Sequence, residues 1–303
     1  MLQLFYILLE KDNKHMKKYI YIISLFSFST MFSQRLERTV IGSSGQTLSN
    51  ANASINFTIG ELVVTTNSNG TTILNQGFHQ EAITLKIRLS PIAFLQGPLA
   101  TSGTTTMDDS LRSNDLLPTT SPYTDSATCE SSVFNNTGND AIIDWVWVTL
   151  RDKNDKTSVL ASQSALLQAD GDLVDVDGVS PLQVELASDS YFVGINHRNH
   201  LEIISINPIA LNTTTATTIN LSDTSSAVFG GTNSVLNMGN GIFAMISGDF
   251  DENGQIQNID TNSVIQLLGI SSYNKADLDM NGQVQNSDIN NLLNPNIGKG
   301  EQF

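Results

Sequence analysis

Residues 248–260 read GDFDENGQIQNID. Oxygen-bearing side chains stand at alternate positions, Asp249, Asp251 and Asn253, then Gly254 intervenes and Asp260 closes the run. The pattern returns 28 residues further on as ADLDMNGQVQNSD, residues 276–288, with Asp277, Asp279, Asn281, Gly282 and Asp288 in the same places. Counted from Asp249 and from Asp277, these residues occupy positions 1, 3, 5, 6 and 12. That is the oxygen-ligand spacing of an EF-hand calcium loop, with Asp at position 12 instead of Glu. A hard dication needs six to eight oxygens, alternate side chains of a tight loop can converge on one point, and Gly at position 6 permits the sharp turn. Gln255 and Gln283, at position 7, are expected to supply backbone carbonyls, and Gln257 and Gln285 to act through water. Ile256 and Val284, at position 8, are expected to pair the two loops through short β contacts. Three carboxylates held together without a cation repel by about 3–4 kcal/mol per pair at an effective dielectric near 20. Two Ca2+ sites are therefore expected.

A short apolar pattern follows each loop. DTNSVIQLLG (260–269) carries Val264, Ile265, Leu267 and Leu268, with Asp260 placed to cap a helix and Gly269 to end it. DINNLLNPN (288–296) carries Ile289, Leu292 and Leu293 and is expected to stop before Pro295. No helix-forming segment precedes either loop. Loop-then-helix, duplicated, resembles a type I dockerin over about 45 residues. The resemblance implies five ligands per loop, the fifth being the carbonyl of Gln255 or Gln283, and a cohesin-like partner. The recognition positions 10 and 11 hold Asn258-Ile259 and Asn286-Ser287 where dockerins usually carry a Ser/Thr-type pair.

The rest of the chain is of another kind. Of 303 residues 40% are hydrophobic and only 15% charged, so a folded core is expected. The abundance of Ser, Thr, Asn and Gly favours strands joined by turns. A net charge of −15 disfavours nucleic acid as a partner. Residues 16–34, MKKYIYIISLFSFSTMFSQ, read as an export signal, with Met16 the expected start, after which no transmembrane span is expected. The expected location is therefore extracellular or the outer cell surface. The one cysteine, Cys129, permits no intrachain disulfide, so calcium would serve as the structural staple.

Four segments follow: 1–33 as upstream residues and signal, 34–82 as an N-terminal β-hairpin segment, 83–247 as a β-sandwich-like domain, and 248–303 as the calcium-binding tail. The fold class expected is mainly β, with a small α-helical duplicated EF-hand-like tail. In the second segment, runs 54–66 and 71–79 flank the turn NSNG (67–70). In the third, AIIDWVWVTLRD (141–152) and several shorter runs read as strands, and Asp170-Gly171 as a two-residue hairpin turn. No long segment there has helical periodicity.

Gly60, Glu61, Thr65 and Gln76–Gln80 resemble the segment that follows the signal in many secreted Bacteroidota proteins. The stretches 94–99 (FLQGPL), 107–123 (MDDSLRSNDLLPTTSPY), 144–152 (DWVWVTLRD) and 195–201 (INHRNHL), with the tail, resemble a secreted Bacteroidota family often labelled hemagglutinin. That resemblance implies surface adhesion, with a glycan or cell-surface ligand.

Other constellations are weaker. His197 and His200 in HRNH share a metal only if the chain turns between them, and no third ligand is evident. Trp145 and Trp147 suit a core or a sugar-stacking face. The acids of DGDLVDVDG (170–178) read as a solvated hairpin. No GxSxG, HExxH or phosphate loop is present, and no acidic pair singles itself out for glycoside hydrolysis. Non-catalytic binding is the leading expectation. A tethering module of a polysaccharide-degrading system and an unrecognised glycan hydrolase are the alternatives.

Overall fold

A computed structural model describes residues 85–303 in full, and the backbone of four short strands before them. The export signal, Met16 and most of the second segment lie outside the described residues. Of those four strands, β1 (Ser44–Ser49) pairs antiparallel with β2 (Ser54–Ile59), while β3 (Thr66–Ser68) lies beside β4 (Ile73–Asn75). Of the expected run 54–66, residues 54–59 form β2 and Thr66 opens β3, while residues 60–65 lie outside the described residues. The second of two compact units holds Ala82–Phe303.

That unit is mainly β. Its principal sheet contains β6 (Ile142–Asp152), β7 (Asp155–Gln168), β8 (Leu173–Val174), β10 (Asp189–His197), β11 (His200–Ile204) and β12 (Ile209–Leu211). The order is β11-β10-β6-β7-β8, with β12 also on β10, and all pairings are antiparallel. A second sheet places β5 (Ile87–Ile92) between β13 (Thr217–Asn220), which is parallel to it, and β9 (Leu182–Val184), which is antiparallel. The ribbon β14 (Val235–Gly239) and β15 (Ile242–Met245) completes the β structure.

The β6 sequence, IIDWVWVTLRD, is dense in β-branched and aromatic residues, which suit a strand buried on both faces. Trp145, Val146, Val148 and Leu150 join Ile87 and Leu89 of the second sheet in one core. Trp147 instead lies partly open and stacks on Tyr123, with ring centroids 5.6 Å apart. The turn after β7 is longer than the two residues expected. Gln168 N–H donates to the Asp172 carbonyl, so Ala169, Asp170 and Gly171 form the loop, with Gly171 at φ +94°.

Two short helices, α1 (Gln96–Ser102) and α2 (Ser110–Ser113), interrupt the region in which no helical periodicity was evident. Both are too brief for periodicity to register.

In the tail, α3 spans Asn258–Ile265. Asp260 caps it from the third helical position, its Oδ2 accepting from Gln257 N–H at 2.8 Å. The second helix does not stop before Pro295. A π-helical α4 (Asp288–Leu293) runs into α5 (Asn294–Asn296), which contains the proline. Asn294 N–H donates to the Ile289 carbonyl, five residues back. That wider turn is the physical reason a proline is accommodated, since it relaxes the crowding an α-helical proline meets four residues back.

A small core of Ile256, Val264, Ala276, Leu278, Val284, Ile289, Leu292 and Leu293 includes Leu201 of β11 and Ile246. The tail therefore shares its core with the β body. Ile256 and Val284 are both buried in it, yet the two loops do not pair with each other as expected. Ile256 N–H donates to the Lys299 carbonyl and Val284 N–H to that of Ile270. Each loop takes its β partner from the segment that follows the other loop's helix, which satisfies both backbones while leaving the two position-8 side chains free to fill the core.

Candidate metal centres and their seating

The two loops match bond for bond. In the first, Asp249 accepts from Asn253 N–H (Oδ1, 3.1 Å) and Gly254 N–H (Oδ2, 3.0 Å). In the second, Asp277 accepts from Asn281 N–H (3.1 Å) and Gly282 N–H (2.8 Å) in the same way. Asp260 Oδ1 accepts from Phe250 and Asp251 N–H, and Asp288 Oδ1 from Leu278 and Asp279 N–H. Asn253 and Asn281 each accept from the N–H two residues on, at 2.9 Å. Positions 4 and 6 share the left-handed conformation: Glu252 and Met280 at φ +59°, Gly254 at +78° and Gly282 at +90°.

This folding brings carboxylate oxygens of Asp249, Asp251 and Asp260 within 4.8 Å of one another, and likewise those of Asp277, Asp279 and Asp288. Asp249, Asp260, Asp277 and Asp288 are buried. Among the described residues, no Lys or Arg forms a salt bridge to either trio; Lys275, the nearest in sequence, reaches Glu252 instead. Burial, opposed by the loop N–H donors and reinforced by Asp260 and Glu301, raises the Asp249 carboxyl to about 6. Burial together with Asp288 and Asp279 raises Asp277 further, and Asp279 and Asp288 also shift upward, chiefly through burial. Buried carboxylates are ordinarily paired or bound to metal. Among the described residues no N–H donates to the carbonyl of Gln255 or Gln283, so the oxygen that position 7 would lend to a cation is uncommitted. The donor set is all oxygen, which fits Ca2+ rather than a soft metal.

The second loop sits on a buried polar network that sequence reasoning did not assemble. HRNH (197–200) forms the turn between β10 and β11, which brings the two imidazoles together. Asp144, in β6, accepts from Arg198 Nε (2.9 Å), His197 Nε2 (3.2 Å), the Tyr273 hydroxyl (2.7 Å) and Trp145 N–H (2.7 Å). With Nε2 donating, His197 Nδ1 is an acceptor; the His200 Nδ1 proton lies between it (3.0 Å) and Asn199 Oδ1 (2.7 Å), and His200 Nε2 accepts from Gly97 N–H at 3.4 Å. The ring nitrogens are thus engaged with protein groups, so the pair is structural and does not serve zinc. Burial lowers both imidazoles, and His200 falls well below the ordinary histidine range. Against its own burial, Asp144 is held at about 2 by Arg198 first, then by His197 and Tyr273.

Arg198 and Asn199 carry this network into the tail. Arg198 Nη1 donates to the Asn274 carbonyl (2.6 Å), and its guanidinium lies 4.3 Å over the Tyr273 ring. Buried Nη2, which has no hydrogen-bond partner, is left with that aromatic face. Asn199 Nδ2 donates to the carbonyls of Lys275 (3.0 Å) and Asp277 (3.1 Å), the latter being position 1 of the second loop. From α1, Gln96 Oε1 accepts from Ser247 N–H (3.0 Å) and from Asn296 Nδ2 (2.8 Å), while Gly97 lies so close under Leu278 that a Cβ would overlap its carbonyl.

No family model and no curated protein matches the chain. Among solved structures, one similar chain comes from an N-terminal interface mutant of a type II cohesin–X–dockerin complex of Acetivibrio cellulolyticus. It has 17% identity, covers 51% of this chain and 81% of that one, and gives a TM-score of 0.31. A C-terminal interface mutant of that complex gives 14% identity, 70% and 96% coverage, and a TM-score of 0.35. At these TM-scores the likeness carries no argument about fold or partner.

One sequence signal did point to the missed network. Asp144 is an acid inside an otherwise apolar strand run, and such a residue must find a partner when buried. Its side-chain partners lie 53 to 129 residues away, beyond local reading. Among the described helices none is long and apolar enough to cross a membrane.

Proposed function

We propose that the chain is a secreted or cell-surface binding protein, non-catalytic, with a sandwich-like β body and a type I dockerin-like tail stabilised by two calcium ions. The observation that carries this reading is the pair of acidic trios, two of three members buried in each, duplicated bond for bond and, among the described residues, without a salt bridge to a cationic side chain. Asp249, Asp251, Asn253, the Gln255 carbonyl and Asp260 would hold one ion. Asp277, Asp279, Asn281, the Gln283 carbonyl and Asp288 would hold the other. Bound calcium supplies charge neutralisation and a cross-link within each loop. The loop residues form the N–H cradle and keep the carboxylates in reach of one another, so binding free energy becomes folding free energy. Calorimetry with and without EDTA tests it directly: chelation should lower the melting temperature, and calcium titration should give two ions per chain. A melting curve indifferent to calcium rejects the reading.

A second reading keeps the tail as a tether for a cohesin-like protein. It is favoured by Ile259, Ile265 and Leu268, which α3 and its following turn leave exposed on the tail. Pull-down of cohesin-like proteins by the full chain, with Ile259→Asp as comparison, separates tethering from a purely structural tail.

A further inference from the structure

A cleft of about 560 Å3 opens between the turn that follows α2 and the 3-10 segment Ser131–Asn135. Its size lies within the range of small-molecule sites. None of the ten metal-loop residues lines it.

The chemistry of the lining selects a ligand class. Arg112 is the one cationic side chain there, and its Nε and Nη2 are spent on Asp109, its Nη1 on the Phe134 carbonyl. Its charge is neutralised inside the protein, so an anionic ligand would find no free cation in the lining, on a chain already at −15. Two of the five guanidinium N–H groups remain for a neutral acceptor. Asp115, Thr119, Ser132 and Asn135 also line the cleft, and among the described residues their side chains make no hydrogen bond. Together they offer both donors and acceptors, as a polyol requires. Phe134, half-buried, adds one aromatic surface on which the C–H face of a ring can lie. Asp115 is held at φ +55°, its N–H donating to the Arg112 carbonyl at 3.0 Å.

We infer that this cleft binds a neutral saccharide of one or two rings. The inference deepens the reading of the chain as a binding protein and rests on it. Asp115 is the one carboxylate in the lining, whereas glycoside hydrolysis works with two. The site therefore holds its sugar without cleaving it.

Saturation-transfer NMR on the full chain in calcium, with glucose, galactose, mannose, N-acetylglucosamine and lactose as probes, tests the assignment. At least one sugar should bind saturably with millimolar affinity or better. Asn135→Ala and Ser132→Ala, both exposed, should each weaken it, and Phe134→Ala by about tenfold, while Ser226→Ala, outside the cleft, should not. Failure of all five sugars to bind overturns the inference, as does binding that Asn135→Ala, Ser132→Ala and Phe134→Ala all leave unchanged. Melting curves of the same samples with and without EDTA report separately on the calcium reading, so the two can fail independently.

Discussion

Arg198 Nε donates to Asp144 Oδ2 at 2.9 Å, joining the β10–β11 turn to the middle strand of the principal sheet with both side chains buried. The same arginine reaches the Asn274 carbonyl, so one ion pair spans body and tail. Removing one partner strands the other charge away from water. Asp144→Leu and Arg198→Met should therefore each cost about 3–5 kcal/mol. Replacing both with apolar residues, as in Asp144→Leu with Arg198→Met, should cost less than the sum of the single losses. Urea unfolding of the four proteins measures this, and strictly additive losses would show that the pair is not coupled.

The Asn199 side chain holds the second loop, while its backbone carbonyl accepts from Gly248 N–H at 2.9 Å, just before the first. The side-chain amide holds two carbonyls, one of them at position 1 of the second loop, and so fixes where Asp277 begins its turn. Asn199→Ala should weaken one of the two proposed calcium sites by about tenfold, the effect typical of groups that orient a ligand without binding metal. Asp277→Ala should remove that site and reduce the stoichiometry from two to one, while Asp249→Ala should remove the other. Isothermal titration resolves these cases; equal weakening of both sites by Asn199→Ala would show that the contact does not position the second loop.

What could be read in the sequence divides along the range of the interactions. The carboxylate spacing at Asp249 and Asp277 is local, so residues no more than 11 apart bring each trio into view. The β character of residues 142–152 was likewise local, carried by side-chain type. The position-8 residues Ile256 and Val284 looked like partners because they are equivalent. Their partners are instead the backbone at Lys299 and Ile270, a choice made by where the helices return the chain. FLQGPL and HRNH were noticed for a family resemblance, and they hold the residues that seat the tail: Gln96, Gly97, Arg198 and Asn199. Their roles were hidden because most of their partners are backbone atoms 76 to 181 residues away, which carry no sequence signature.

Gly97 is a glycine because of what lies over it. A Cβ there would run into the Leu278 carbonyl, which is backbone and cannot swing aside. Gly97→Ala should therefore push the second loop off α1, destabilising the unit by about 1–3 kcal/mol or more, with Gly97→Val worse. Limited proteolysis in the presence of calcium should show earlier cleavage in residues 274–285 than in the parent. An unchanged cleavage pattern together with an unchanged melting temperature would mean that the two segments do not approach this closely.

The two buried imidazoles give the fold a pH dependence of definite sign. His197 and His200 titrate below their ordinary range when folded, His200 well below, because burial disfavours their charged forms. The unfolded chain takes up these protons near pH 6.5 and the folded chain does not. Stability from this source is complete above that pH and declines as pH falls through it, by at most about 1.4 kcal/mol per pH unit for each ring. Asp144 adds a second, lower window. Its carboxyl is held at about 2, so its contribution persists above the ordinary aspartate range and is lost as pH drops from about 4 towards 2. In saturating calcium, urea midpoints should fall between pH 7 and pH 5, and His200→Gln should flatten that decline relative to the parent. Protonation of the metal loops acts on both proteins alike, so the difference between their slopes isolates the histidine. Parallel slopes would show that His200 is no more protected from protons in the folded chain than in the unfolded one.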